Sequence, residues 1–227
     1  MRFMKSWIHC YLCVYQFLKL NLDSFSIPSC YKDDLSAVII PSGMIEDRVK
    51  ALAYEIHRVV QDQPLTLLCI LKGSYRFFTT LVDELTEVRR HCHSLLTIDF
   101  VRLQSYSDTQ STGTVNILGL SSIDELKEQN VLIVEDVVDS GNTLAHLLDT
   151  LNVIGVKKAW TAVLMSKRVK REREVKEDFV AFDVADKFIV GYGLDYNQKF
   201  RDLRHVCVIS PKGIEKYKIA EDEKAAK

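Results

Sequence analysis

The chain has 227 residues, 47% of them hydrophobic and 27% charged, which suffices for a sizeable core and is typical of a soluble globular domain. Its 30 Lys and Arg residues against 31 Asp and Glu residues leave a formal net charge of -1. No overall positive field exists to attract nucleic acid or an anionic membrane, so we expect neither as a partner, and an anionic ligand must be held by local groups.

The chain begins with a segment, residues 1–21, to which we assign no role. Within it, residues 7–18 are mostly apolar. This stretch is shorter than the ~20 residues that a membrane-spanning helix needs, and no small-residue cleavage site of a signal peptide follows it. We expect either an arm that packs on the domain or a start region unrelated to it. Residues 22–227 are predicted to form a single domain.

The cysteines do not indicate a metal or disulfide framework. Cys10 and Cys13 are spaced as in a zinc site, but no second pair matches them. The adjacent residues His91, Cys92 and His93 cannot easily converge on one ion. We therefore expect reduced thiols and a cytoplasmic location.

From about residue 35 the hydrophobic pattern alternates between strands and helices, which predicts an α/β fold with a mainly parallel sheet flanked by helices. The polar residues 105–114 predict a long mobile loop, and the charged residues 167–178 predict a connection that is mostly exposed to solvent. Strands are predicted at 38–40, 65–71, 95–103, 131–134, 159–165, 179–184, 188–193 and 206–209, and helices at 44–60, 74–88 and 141–154.

The segment 131–144 is the most informative part of the sequence. A buried strand leads into the adjacent carboxylates of Glu135 and Asp136, and the sequence Asp-Ser-Gly-Asn-Thr then opens a helix. The unpaired amides of a first helical turn bind phosphate, Gly141 lets the backbone approach it, and the hydroxyls of Ser140 and Thr143 add donors. Because two carboxylates would repel an anion, we expect them to face a sugar diol or a hydrated Mg²⁺.

This segment resembles the phosphoribosyl-diphosphate-binding motif of type I phosphoribosyltransferases. The similarity extends over residues 22–217 and, within that family, favours the hypoxanthine-guanine phosphoribosyltransferases. Ser74 departs from the pattern, since a second Gly usually follows Gly73, and Gln104 and Asn142 stand where Lys is frequent. The supporting segments are Leu71-Lys72-Gly73, Gln104-Ser105-Tyr106, Ser166-Lys167-Arg168 and residues 186–191 and 194–203.

The resemblance implies roles in holding the donor sugar and its phosphates. Glu135 and Asp136 would hold the ribose hydroxyls, partly through Mg²⁺. The amides of the Lys72–Gly73 loop, which in the family often includes a cis peptide bond, would hold pyrophosphate together with Arg201. Such groups suit the reaction, because displacement at the anomeric carbon builds positive charge on the ribose and negative charge on the leaving group. The 5′-phosphate would be bound by Ser140, Gly141, Asn142 and Thr143.

The resemblance also implies how the purine is bound. Asp139 would be the general base near N7, Lys167 would reach O6, and Phe188 would stack on the ring. Backbone groups of Lys187 and Ile189 would read the edge of the base. Asp195 would bind a second Mg²⁺, and Ser105 and Tyr106 would belong to a loop that closes over the reaction and excludes water.

Together these features imply a type I phosphoribosyltransferase fold with a small hood subdomain. The implied reaction moves phosphoribose from 5-phosphoribosyl diphosphate to hypoxanthine or guanine, giving IMP or GMP, in a homodimer or homotetramer. One alternative is a related enzyme for another acceptor, such as xanthine or uracil. Another is a weakly active paralogue that serves as a binding or regulatory protein, although every implied catalytic carboxylate is present.

Overall fold

The computed structural model describes residues 12–13, 19–104, 116–118, 123–171 and 173–218, and at 12–13, 104 and 116–118 only the backbone. The predicted closing loop, with Ser105 and Tyr106, therefore lies outside the described residues. The strands are β1 (Leu12–Cys13), β2 (Leu35–Ile40), β3 (Leu65–Leu71), β4 (Leu96–Gln104), β5 (Asn116–Leu118), β6 (Asn130–Val138), β7 (Lys158–Lys167), β8 (Phe179–Val184), β9 (Ile189–Val190) and β10 (Val206–Ile209). The α-helices are α1 (Ser42–Val60), α2 (Tyr75–Val88), α3 (Asn142–Ile154) and α4 (Pro211–Lys216).

Seven strands form the main sheet, in the order β1-β8-β7-β6-β3-β4-β5. The five strands from β8 to β4 are all parallel, while β5 lies antiparallel to β4 and β1 runs parallel to β8 at the other edge. The predicted α/β fold is thus confirmed. The chain leaves β3 towards one edge of the sheet and β6 towards the other, so the carboxyl ends of these neighbours form the crevice where such sheets bind ligands.

Both faces of this sheet are covered by helices. On one face α1 and α2 bury Leu52 and Phe77, among others, and on the other α3 packs Leu147 and Leu151 against β6. The continuous apolar run of β3 reflects this double burial, because alternate side chains of the strand enter different layers of the core.

A second, smaller sheet forms the predicted hood. It has three antiparallel strands in the order β2-β10-β9. Leu22 and Phe25 from the N-terminal side and Tyr217 from the C-terminal side pack against its buried residues. No helix in the described part of the chain is long and apolar enough to span a membrane.

Two predicted strands end three or more residues away from where the pattern indicates. The strand predicted at 188–193 is wrong beyond Val190, because Gly191, Tyr192 and Gly193 have φ values of 94°, 51° and 102°, which extended backbone cannot have. The strand predicted at 131–134 continues to Val138. The acidic pair therefore lies inside β6 rather than after it.

Candidate active site

The turn between β6 and α3 surrounds a cavity. Gly141 precedes the helix with a φ of 79°, and a Cβ at this position would lie 2.9 Å from Cγ1 of Val175. Only glycine combines this backbone angle with so close a neighbour. The amide of Asn142 makes a long contact, 3.5 Å, with Oγ of Ser140. The cavity measures about 140 Å³ and is lined by Glu135, Val137, Val138, Asp139, Ser140, Gly141, Thr143 and Leu144.

The two carboxyl groups of β6 are held in surroundings that disfavour their charge. Burial raises the pKa of Glu135, and the adjacent Asp136 raises it further. Burial also raises the pKa of Asp136, while the positive charge of Arg201 acts in the opposite direction. Oε2 of Glu135 is buried without a hydrogen-bond partner among the described residues. Hard oxygen ligands that lack a counter-charge fit a divalent cation such as Mg²⁺.

The loop between β3 and α2 packs directly on this acidic pair. The peptide bond from Leu71 to Lys72 is cis, as the resemblance implies. A Cβ on Gly73 would lie 1.7 Å from Oδ2 of Asp136, so any larger residue would displace the carboxylate. The proposed pyrophosphate loop and the proposed ribose-binding carboxylate are therefore in contact.

Arg201 and Asp195 lie at the same end of the sheet. Their side chains form an ion pair of 2.5 Å, and Nη1 of Arg201 donates to the carbonyl of Gly193 at 2.6 Å. The Cα of Gly193 in turn approaches the carbonyl of Gly73 so closely that a Cβ would come within 2.1 Å of it. Asp195, predicted to bind a cation, is thus paired with Arg201. Among the described residues no group of three or more His, Cys, Asp or Glu side chains forms a metal site.

Lys167, which the resemblance implies for purine binding, lies beside two carboxylates. Its ammonium lies 2.7 Å from Oδ2 of Asp139 and 3.6 Å from Oδ1 of Asp186. The second contact brings the start of the 186–189 segment beside Lys167. In that segment the ring of Phe188 is 51% exposed and meets Tyr196 edge-on at 5.3 Å, so one of its faces can accept a flat ligand. Ile189 is buried in β9, and Lys187 is half-buried.

Known proteins share both the sequence and this fold. A model of the phosphoribosyl transferase domain matches residues 41–197. The hypoxanthine-guanine phosphoribosyltransferases of Homo sapiens and Rattus norvegicus are each 44% identical to this chain over 200 residues, which cover 87% of it and 92% of each relative. The chain belongs to this family.

Solved structures of the family superpose on the chain. The hypoxanthine-guanine phosphoribosyltransferase from Schistosoma mansoni in complex with IMP gives a TM-score of 0.76 at 32% identity, covering 92% of this chain and all of that one (100%). The hypoxanthine phosphoribosyltransferase from Staphylococcus aureus gives 0.72 at 30% identity, covering 82% and 98%. The type I phosphoribosyltransferase fold is therefore confirmed.

This phosphoribosyltransferase site contains a residue that the sequence did not single out. Arg171 donates from Nε to the carbonyl of Asp139 at 3.1 Å and from Nη2 to Oγ of Ser166 at 3.0 Å. It also forms an ion pair of 2.7 Å with Glu177, and these two side chains are only 16% and 13% exposed. The prediction of a mostly exposed connection over 167–178 is wrong for both residues. In a run of charged residues, the sequence does not indicate which side chain packs against a distant turn.

Proposed function

We propose that the chain transfers the 5-phosphoribosyl group from 5-phosphoribosyl diphosphate to hypoxanthine or guanine, giving IMP or GMP and pyrophosphate. The contact between Lys167 and Asp139 carries this proposal. A 6-oxopurine presents the O6 acceptor and a protonated N7 side by side on one edge. An ammonium and a carboxylate that are 2.7 Å apart match this donor and acceptor pattern.

The chemical step then divides between these two residues. N9 of the base forms a bond to C1′ of the ribose, and the bond from C1′ to pyrophosphate breaks with its electron pair leaving on pyrophosphate. The proton of N7 passes to the carboxylate of Asp139. Lys167 donates to O6, Phe188 stacks on the ring, and backbone groups of Lys187 and Ile189 read the remaining edge.

The donor is held across the crevice between β3 and β6. Its 5′-phosphate enters the cavity at the start of α3, where Ser140, Gly141, Asn142 and Thr143 surround it. Glu135 and Asp136 take the ribose hydroxyls and hold Mg²⁺, which supplies the positive charge that lets these carboxylates accept a polyanion. Amides of the Lys72–Gly73 loop bind the pyrophosphate.

Arg201 completes the pyrophosphate side. Its guanidinium binds the departing pyrophosphate, and the carboxylate of Asp195 would hold a second Mg²⁺, which would supply further positive charge on that side. Ser105 and Tyr106 belong to the loop that closes over the reaction and keeps water from the positive ribose.

The proposal extends to the location and assembly of the enzyme. A reducing cytoplasm fits the four cysteines whose side chains are described, all of which are free thiols: Cys30, Cys69, Cys92 and Cys207. Assembly into a homodimer or homotetramer, and a transferase domain that begins near residue 22, remain proposals that sedimentation and truncation test.

Product formation from labelled bases tests the function directly. The full chain, Mg²⁺ and 5-phosphoribosyl diphosphate are incubated with guanine, hypoxanthine, xanthine or uracil, and the nucleotide and pyrophosphate are quantified. We expect one molecule of pyrophosphate for each molecule of GMP or IMP formed, and no turnover in excess EDTA. Turnover of xanthine or uracil alone would assign another acceptor, and donor binding without turnover of any base would indicate a regulatory protein.

A further inference from the structure

Ser74, where the resemblance leads one to expect glycine, is fully buried in the turn that leads from β3 into α2. Its exposed fraction is 0%, and it directly precedes α2. Its Oγ accepts the backbone N–H of Asp136 at 3.0 Å and makes a longer contact, 3.5 Å, with Oδ1 of the same residue. A single hydroxyl thus touches both the main chain and the carboxylate of Asp136.

The hydroxyl meets Asp136 where the ladder of the sheet is interrupted. The pairing of β6 with β3 ends at Val134, and the pairing with β7 passes from Glu135 to Val137 without including Asp136. A backbone N–H that is buried without a partner costs as much as a lost hydrogen bond, or more. Ser74 therefore supplies the acceptor at the position that neither neighbouring strand pairs.

Three contacts with Ser74 and Gly73 hold Asp136 in place. Ser74 fixes its amide and Oδ1, while the Cα of Gly73 lies against Oδ2. Asp136 is only 8% exposed, so its position depends on these contacts. A glycine at position 74 would provide neither contact.

We propose that Ser74 is a positioning residue for Asp136 and thereby sets the affinity of this chain for 5-phosphoribosyl diphosphate. The inference rests on the proposed function in one respect, namely that Asp136 holds the ribose of the donor. Among the described residues, the side-chain hydrogen bonds of Ser74 go to Asp136, so we expect its loss to act on the donor and to leave recognition of the base intact.

The variant Ser74→Ala tests this, because it removes Oγ and keeps Cβ. The dissociation constant for the donor is measured by calorimetry with Mg²⁺ and without base, and the KM values for donor and for guanine are measured in turnover. We expect the constant and the KM for the donor to rise about tenfold, because the donor itself must then order the side chain of Asp136. The KM for guanine stays unchanged.

Thr161→Val is the matched control. Thr161 is also fully buried, and its hydroxyl accepts the backbone N–H of Asp178 at 2.8 Å. It lies six residues before Lys167 on β7, roughly 20 Å from the site at the rise of a strand. We expect both variants to lower Tm and only Ser74→Ala to weaken donor binding.

Donor affinity in Ser74→Ala that equals wild type, or falls no further than in Thr161→Val, would overturn the proposal. If Ser74→Ala is not recovered folded, Ser74→Gly is judged by the same comparison. Failure of the proposed function looks different: wild type would then bind the donor in the calorimeter yet transfer phosphoribose to neither guanine nor hypoxanthine.

Discussion

At the scale of single residues, the proposed contact of Lys167 with O6 predicts which bases the site accepts. A lysine offers only donors, so it suits the O6 acceptor of guanine or hypoxanthine. Adenine carries an amino group at this position, and its N1 is an acceptor where the 6-oxopurines have an N–H. Adenine would therefore leave a desolvated ammonium facing hydrogens, which is a strong basis for rejection.

Replacing Lys167 by methionine tests this discrimination. A site built to hydrogen-bond a group rejects an analogue that lacks it by ~10⁴–10⁵ in kcat/KM, and we expect a gap of this order between guanine and adenine. Lys167→Met should lower kcat/KM for guanine far more than for adenine. Equal use of adenine and guanine by the wild-type chain would contradict both the Lys167 assignment and the 6-oxopurine preference.

The carboxylate of Asp139 is the proposed proton acceptor, and asparagine retains its shape without its basicity. Asp139→Asn should lower kcat by ~10²–10⁴, the usual contribution of a placed general base, while donor binding persists. Asp186→Asn is the matched control, because Asp186 also contacts Lys167 but at 3.6 Å and with a side chain that is 66% exposed. A loss in Asp139→Asn no larger than in Asp186→Asn would show that Asp139 only holds Lys167.

Glu135 should destabilise the metal-free chain at neutral pH. Burial raises the pKa of Glu135 in the folded state above its pKa in the unfolded chain. Its contribution to stability is therefore fully present below the unfolded-chain pKa and is lost as the pH rises through the folded-state pKa. Glu135→Gln should therefore raise Tm without Mg²⁺ at pH ~7.5, by ~2–4 °C for each kcal/mol in a chain of this size. We also expect Mg²⁺ to raise the Tm of wild type more than that of the variant. A lower Tm for Glu135→Gln in EDTA would contradict this account of the pair.

At the scale of elements, the described residues of the N-terminal segment contact the domain at β1 and again at Leu20. β1 pairs with β8 at only two residues, whereas Leu20 exchanges two backbone hydrogen bonds with Val38, at 2.9 and 3.1 Å. Leu22 and Phe25 then pack on the hood. Among the described residues, hydrogen bonds and packing against the hood begin at Leu20.

Two truncations separate these attachments. Removing residues 1–19 retains the Leu20–Val38 bonds, so we expect a soluble, active enzyme with a small change in Tm. Removing residues 1–26 also breaks the two Leu20–Val38 hydrogen bonds and removes the half-buried Leu22 and Phe25 from the hood, so we expect a much lower Tm. Thermal melts and guanine turnover check both. Unfolding of the shorter truncation would show that residues 1–19 belong to the core.

At the scale of the whole molecule, His205 joins the hood to the main domain. It directly precedes β10, is 7% exposed, and its Nδ1 accepts the backbone N–H of Ser42 at 2.9 Å, while the ring of Phe25 packs against it at 5.2 Å. Burial lowers the pKa of His205, and the positive charge of Arg204 lowers it further. The neutral ring is thus the form that the fold requires, because protonated Nδ1 cannot accept the Ser42 amide.

The lowered pKa of His205 determines how its contribution to stability depends on pH. A histidine with a lowered folded pKa binds fewer protons folded than unfolded, so its stabilising effect is present above its usual pKa, 6.5, and is lost as the pH falls towards the lowered value. We expect wild type to exceed His205→Gln in Tm at pH ~7.5 and the difference to shrink at pH ~5. Measuring the difference cancels the titration of the other groups, and a difference that grows on acidification would contradict the assignment.

Local features determined much of the fold from the sequence alone. β3, β8 and β10 begin and end where they were predicted, because apolar runs bounded by proline, glycine or charged residues carry their own limits. The turn at residues 139–143 was equally readable, since its glycine, hydroxyls and amides are all supplied by consecutive residues that open one helix.

The tertiary structure decided which distant residues meet. The contact of Ser74 with Asp136 spans 62 positions and that of Arg171 with Asp139 spans 32, and both depend on the placement of β3 and β7 on either side of β6. The early end of β9 depends on glycines that fold back against Gly73 and His205. Strand order and chain reversal arise from packing the whole sheet at once, so neither leaves a local pattern in the sequence to be read in advance.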